Sequence, residues 1–303
     1  MNNVLELKDV LKAYQQHVAV DKVSFSIPEG KIFGLLGPNG AGKTSIIRII
    51  TTITRADKGQ VLFCGAPLNS AHPSKIGYMP EERGLYKKMK VGEQIVYLAR
   101  LKGLSQKEAK HHLNHWLEKF AIEDWRNKKV EELSKGMQQK IQFIATIIHH
   151  PKLLILDEPF SGLDPVNANL IRDEIYDLNR KGTTILLSTH RMEQVEQICE
   201  NIVLINKGQN VLEGAVADIK EEFKENLFSV EYKHGALPPD LHKYGQVITE
   251  KEGHLLIKLQ RTKSSNELLK HLIYHDTQVH LFQEILPTLN EIFIKIVGGN
   301  SDE

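Results

Sequence analysis

Eight consecutive residues, Gly37-Pro38-Asn39-Gly40-Ala41-Gly42-Lys43-Thr44, set glycines, a lysine and a hydroxyl directly after the apolar run Ile32-Phe33-Gly34-Leu35-Leu36. Glycines at 37, 40 and 42 let the backbone curl with several N–H groups pointing inward, where a side chain would obstruct an anion. Residues from Ser45 onward read as the first turns of a helix, whose positive end faces the same anion. Lys43 supplies a point charge to the outer phosphates of a nucleotide, and the Thr44 hydroxyl can ligate Mg²⁺. A second cluster, Asp157-Glu158, closes the apolar run Leu153-Leu154-Ile155-Leu156. The first carboxylate can hold the Mg²⁺ shell and the second can orient or deprotonate an attacking water. Together with the phosphate loop they specify hydrolysis rather than binding alone.

These groups must be positioned by a sheet. Residues 4–36 alternate apolar and polar positions in short runs broken by Pro28-Glu29-Gly30, which reads as strands joined by turns. Tyr14 falls here, and on spacing alone it reads as a packing residue. Further strands are expected at 60–65, 76–79, 153–156 and 183–188, with helices at 91–102, from Ser105 to Phe120, after 139, at 171–180 and at 192–200. Ser105 and Glu108 form a capping box for the second of these helices. Leu133-Ser134-Lys135-Gly136-Met137-Gln138-Gln139 reads as a turn feeding an amphipathic helix. Strand and helix in alternation indicate an α/β fold with a mostly parallel sheet, interrupted by a helical insert at about 84–150. After about Asp218 the texture changes. Strands at 228–232, 247–249, 255–259 and 278–282, a turn at Gly235-Ala236-Leu237-Pro238-Pro239 and helices at 265–274 and 288–297 describe a small α+β domain.

Bulk properties exclude several classes. Lys+Arg 39 against Asp+Glu 38 leaves a formal charge of +1, so no global field favours nucleic acid or an anionic membrane. No nucleic-acid partner is expected. Cys64 and Cys199 lack metal-ligand spacing and read as buried small hydrophobes of a reducing cytoplasm. The first residues show no basic and apolar leader, and no run approaches the roughly 20 apolar residues of a spanning helix, so a membrane role would need another chain. His111, His112 and His115 include helical i, i+4 spacing but lack a third ligand pattern, and read as a solvated helix face.

Taken in order, the motifs resemble the nucleotide-binding subunit of an ABC transporter over roughly residues 4–215. Residues 37–44 correspond to Walker A, Leu133-Ser134-Lys135-Gly136-Met137 to the signature loop, and 153–158 to Walker B. Ser161-Gly162-Leu163-Asp164 corresponds to the D-loop and His190 to the switch histidine. The resemblance implies a P-loop ABC ATPase domain at 1–217 and an accessory domain at 218–303. It makes Tyr14 the adenine-stacking aromatic, which reverses the reading from spacing alone. ATP would be held by Gly37, Pro38, Asn39, Gly40, Ala41, Gly42, Lys43, Thr44 and Ser45. Mg²⁺ would be held by Thr44, Glu81 and Asp157, and hydrolysis carried by Glu158, His190 and Lys43. The resemblance further implies a head-to-tail homodimer, with Ser134, Gly136 and Met137 meeting the nucleotide of the other subunit, and a separate integral membrane permease that places the chain at the cytoplasmic face of the cell membrane.

Two motifs depart from the family pattern. Lys135 and Met137 replace a glycine and a glutamine of the common signature, and Glu81 stands where most relatives carry the Q-loop glutamine. The segment Ile76-Gly77-Tyr78-Met79-Pro80-Glu81-Glu82-Arg83-Gly84-Leu85-Tyr86 and the C-terminal Leu289-Asn290-Glu291-Ile292-Phe293 are similar to ABC-2 type bacterial exporters, a group that includes sodium-extrusion and drug-efflux subunits. On that resemblance the exposed faces of residues 84–100 dock the permease. The alternative is a soluble ABC ATPase of DNA repair or translation. Repair relatives carry long coiled coils and translation relatives fuse two nucleotide domains, and this sequence has neither. A regulator with a decayed site would lack a catalytic residue, whereas Lys43, Asp157, Glu158 and His190 are all present.

Overall fold

The computed structural model describes residues 2–15, 17–82, 84–233 and 237–298; Arg83 and the Gly235-Ala236 turn lie outside them. The chain divides into two compact units, 1–215 and 216–303.

In the first unit, β1 (Asn3–Tyr14), β2 (His17–Pro28), β3 (Ile32–Leu36), α1 (Lys43–Ile50), β4 (Lys58–Phe63), β5 (Ala66–Pro67) and β6 (Ile76–Met79) are followed by three helices. These are α2 (Val91–Leu101), α3 (Gln106–Lys119) and α4 (Lys135–Ile147). Then come β7 (Leu153–Asp157), α5 (Pro165–Arg180), β8 (Thr184–Thr189), α6 (Met192–Ile198), β9 (Asn201–Asn206) and β10 (Gln209–Ala215). Two sheets result. One is antiparallel in the order β2-β1-β4-β5; the other runs β10-β9-β3-β8-β7-β6, parallel except for β10.

Helix α1 lies at the centre of the core. Its Ile46, Ile47, Ile49 and Ile50 pack with Leu5, Leu7, Val23 and Phe25 of the antiparallel sheet and with Phe33, Leu35, Ile155 and Val203 of the parallel one. Its four isoleucines fall on the buried side, while Thr44 and Arg48 stay exposed. Strands β3, β7 and β8 are buried along their whole length, as parallel strands covered on both faces must be. Their C-terminal ends therefore converge on one edge, where the loops carrying Gly37, Glu158 and His190 emerge.

Several elements differ from the sequence expectation. The short N-terminal runs fuse into two 12-residue strands, because register shifts in β1 absorb the breaks in alternation. The β9–β10 hairpin was not foreseen. Its signal was Ile202-Val203-Leu204-Ile205 followed by Lys207-Gly208, whose positive φ of 48° and 80° makes the two-residue hairpin turn. Helix α5 starts at Pro165, two turns before the expected 171, with Asp164 accepting from the Asn167 N–H. Cys64 is exposed rather than buried, because it sits at φ 51° in the turn after β4, while Cys199 is buried.

The second unit contains α7 (Val216–Glu222), β11 (Leu227–Tyr232), β12 (Gly245–Lys251), β13 (His254–Leu259), α8 (Ser265–Tyr274), β14 (Val279–Ile285) and α9 (Leu289–Gly298). Its antiparallel sheet runs β12-β13-β11-β14. Leu268 and Leu272 of α8 close the core over Phe228, Val230, Leu255 and Ile257. Among the described residues no helix is long and apolar enough to cross a membrane.

Candidate active site

A cleft of about 270 Å³ opens where the phosphate loop meets the ends of β6 and β7. Tyr14, Asn39, Gly40, Ala41, Gly42, Lys43, Thr44, Ser45, Glu81, Asp157 and Glu158 all line it. Gly42 is the N-cap of α1 at φ 111°, and a Cβ there would meet the Ala19 carbonyl at 2.3 Å. Only glycine fits. Gly40, at φ 79°, faces open space on the cleft side of the loop. Helix α1 has no side-chain cap and no acidic residue in its first turn, so its first N–H groups and its dipole are directed at whatever anion enters the cleft.

Lys43 is only 8% exposed. Its Nζ donates to the Gly37 carbonyl at 2.7 Å and the Pro38 carbonyl at 3.0 Å, so the loop holds the ammonium in place. Burial pushes its pKa below the usual lysine value, opposed by the nearby charges of Glu158, Asp157 and Glu81. Asp157 shows the mirror image. Burial raises its carboxyl above the usual range, against a 2.8 Å hydrogen bond from Ser188 Oγ that favours the ionised form.

Glu158 is buried and is fixed from three sides. Thr189 Oγ1 donates to its Oε2 at 2.9 Å, the His190 backbone N–H donates to Oε1 at 2.8 Å, and the His190 ring Nδ1 lies 2.6 Å from the same Oε1. Its backbone sits at φ 49°, and its own N–H donates to Ser188 O at 2.8 Å. A left-handed conformation costs a non-glycine residue about 1–2 kcal/mol, so the surrounding hydrogen bonds hold a carboxylate where the chain alone would not put one.

None of Ser134, Gly136 and Met137 lines the cleft. Ser134 is the N-cap of α4, accepting from the Met137 N–H at 3.3 Å, so the signature residues form the first turn of the helix rather than a loop before it. Ser134 and Lys135 are exposed. Helix α4 is tied to both sides of the cleft: Gln139 Nε2 donates to Pro159 O at 3.2 Å and Gln142 Nε2 to Pro80 O at 2.8 Å. The structure thus gathers Tyr14, residues 39–45, Glu81, Asp157 and Glu158 around the cleft, places Gly37 and Pro38 behind Lys43 and His190 against Glu158, and leaves the signature turn out of the cleft lining.

Sequence reasoning missed several contributors. His17 and Ala19 line the cleft, His17 because it pairs with Tyr14 across the β1–β2 hairpin. Ser188 and Thr189 hold the two carboxylates; two hydroxyls directly after the apolar run Ile185-Leu186-Leu187 were the available signal.

Residues 20–161 match the ABC transporter family, and 214–297 match the C-terminal domain of DrrA1-3-like ATP-binding proteins. The ABC transporter ATP-binding protein YhaQ of Bacillus subtilis (strain 168) is 44% identical, over 98% of this chain and 99% of its own length. The chain belongs to the ABC transporter ATP-binding family. The Nod factor export ATP-binding protein I of Burkholderia thailandensis is 36% identical over 70% of each chain. A solved ATP-binding subunit of an ABC transporter superposes with a TM-score of 0.68 at 30% identity, over 73% of this chain and 93% of that one. The fold is that of a P-loop ABC ATPase with an additional C-terminal domain, and the chain is the ATP-binding subunit of a transporter, in a family that hydrolyses ATP. The uncapped N-terminus of α1 and the open glycine at 40 fit a triphosphate, and Thr44, Glu81 and Asp157 form the hard oxygen set that suits Mg²⁺.

Proposed function

We propose that this subunit hydrolyses ATP at a site completed by a second copy of itself, and that the cycle drives export through a separate membrane permease. The observation that carries the reading is Glu158, buried, bonded to Thr189 and His190, and lining the cleft beside Lys43. Glu158 Oε1 accepts the proton of the attacking water, and His190 Nδ1, 2.6 Å away, holds that carboxylate in place. Lys43 and the first N–H groups of α1 take the charge of the outer phosphates. Mg²⁺, when bound, supplies Lewis-acid neutralisation of the phosphate oxygens. Thr44, Asp157 and Glu81 are the residues that would hold it, with Glu81 contributing a charge where most of the family has an amide. Tyr14, 39% exposed, offers a face for adenine stacking.

Ser134, Gly136 and Met137 are assigned to the nucleotide of the second copy, since they are absent from the cleft of their own chain and sit at an exposed helix start. The exporter reading rests on the Nod factor export relative. Its docking surface is the groove of about 320 Å³ lined by Pro80, Gly84, Leu85, Leu98 and Leu101. Tyr86, Tyr97 and Leu101, all exposed aromatics or aliphatics of residues 84–101, fit an apolar partner helix there.

The test is phosphate release from Mg-ATP measured across protein concentration. A shared site gives turnover per chain that rises with concentration, and turnover independent of concentration overturns it. Purification from membranes then identifies the permease; recovery with ribosomes or DNA in its place would favour a soluble role.

A further inference from the structure

The second unit carries a cluster that ATP chemistry does not use. Asp240 precedes the short 3-10 turn Leu241–Lys243, while His271 and His275 lie one turn apart at the C-terminal end of α8. Asp240 Oδ1 lies 2.7 Å from His271 Nε2, the rings of His271 and His275 are 4.6 Å apart, and one ligand atom from each of the three residues falls within 4.8 Å of the other two. We propose that Asp240, His271 and His275 form a binding site for a divalent transition metal of the zinc class.

Four observations support this. Two imidazoles at i, i+4 on a helix present nitrogens to one point, and a carboxylate from another segment completes a three-ligand set with the fourth position open to water. Tetrahedral zinc with bonds of about 2.0–2.1 Å sets its ligand atoms about 3.3–3.4 Å apart, so the observed spread needs only side-chain rotation. The set is also pre-arranged. Tyr244 packs on the His271 ring at 4.7 Å, and Lys243 Nζ takes Asp240 Oδ2 at 3.2 Å, which leaves Oδ1 as a single aimed ligand. Finally, the site lies at the C-terminus of α8, where the helix dipole favours a cation. Lys243 and Lys263, whose Nζ lies 5.4 Å over the Tyr244 ring, are the opposing charges nearby.

Behind the cluster stand Leu241, Leu268 and Leu272 of the unit's core. A metal would therefore clip the 3-10 turn to α8 on top of that core. Its two imidazole nitrogens separate this set from the all-oxygen donors that suit Mg²⁺ in the nucleotide cleft.

The experiment is titration of the full chain with Zn²⁺ by calorimetry and with Co²⁺ by visible absorption, without nucleotide. His275 is exposed, so His275→Ala removes a ligand without opening the core. The expected result is one bound metal per chain with a tetrahedral Co²⁺ band. His275→Ala and Asp240→Asn should weaken binding about 10–100-fold and abolish the band. The double variant His111→Ala/His115→Ala, which removes the exposed i, i+4 pair of α3, should keep the site intact. Unchanged affinity in both His275→Ala and Asp240→Asn, metal binding that follows the α3 pair, or no binding in the full chain overturns the proposal.

Discussion

Helices α1 and α4 each start on a lysine behind a small N-cap residue, Gly42 and Ser134, yet they dispose of their backbone donors differently. Helix α1 starts on a left-handed glycine, carries no side-chain cap, and directs its first N–H groups into a cleft that also holds Lys43. Helix α4 starts on Ser134, which spends its hydroxyl on the helix's own Met137 N–H and faces outward. The first is complete for an anion within one chain. The second satisfies itself until something displaces the cap. The contrast teaches that one chain holds two helix starts of opposite kind, one open to an anion in its own cleft and one that closes on itself and lies outside that cleft.

Four measurements break or sharpen that contrast. Glu158→Gln should lower ATP turnover by about 10²–10⁴-fold, the range for a lost general base, and trap a dimer with ATP in size-exclusion chromatography. Normal turnover from a monomeric variant would remove Glu158 from the chemistry. Lys43→Ala acts on the α1 side alone. Loss of a charge-assisted contact should weaken ATP binding to the isolated chain by about 100-fold, read by fluorescent-nucleotide titration.

Ser134→Ala acts on the α4 side. Losing the cap should cost about 1 kcal/mol of stability, whereas Ser134→Gly should cost only a few tenths. Both lack the hydroxyl. If turnover falls in both while the melting temperature falls only in the alanine variant, the hydroxyl works across the interface; unchanged turnover in both confines Ser134 to capping. ATP binding by the single chain should be unaffected in either.

Smallest is the effect of Asp157→Asn on the nucleotide-free protein. Because burial raises the folded pKa of Asp157 above its unfolded value, the folded state binds the extra proton, and stability falls as pH rises through the window between those two values. The asparagine variant should therefore melt slightly higher than the parent at pH 7. That difference should close as pH drops below the usual aspartate range, measured by calorimetry; a lower melting temperature at pH 7 would show that Asp157 is net favourable as an anion.

Much of this was legible in the sequence because the phosphate loop and the acidic strand end are dictated locally. Glycine spacing fixes the backbone path of 37–44, and an apolar run ending in Asp157-Glu158 can only be a buried strand that meets solvent there. The Ser105–Glu108 capping box likewise set the start of α3, and both of its hydrogen bonds form. What was hidden depends on pairing across distance. Nothing near His17 says that the hairpin returns it to the cleft beside Tyr14, and nothing near Thr189 says that it will bond Glu158, 31 residues earlier. The β9 strand was missed although its central Ile202-Val203-Leu204-Ile205 are apolar and buried, because its place beside β3 is set by the sheet and not by its neighbours in sequence.

Helix α4 carries a further consequence. Its Gln139 and Gln142 grip the carbonyls of Pro159 and Pro80, the residues immediately after Glu158 and immediately before Glu81. One helix therefore has a hand on the segment that leads into Glu81 and another on the segment that leaves Glu158. A slide of α4 by a single residue's rise, about 1.5 Å, would break both grips at once. The segments flanking Glu81 and Glu158 are thus joined mechanically by a pair of amides on one helix, along a path that does not pass through the phosphate loop.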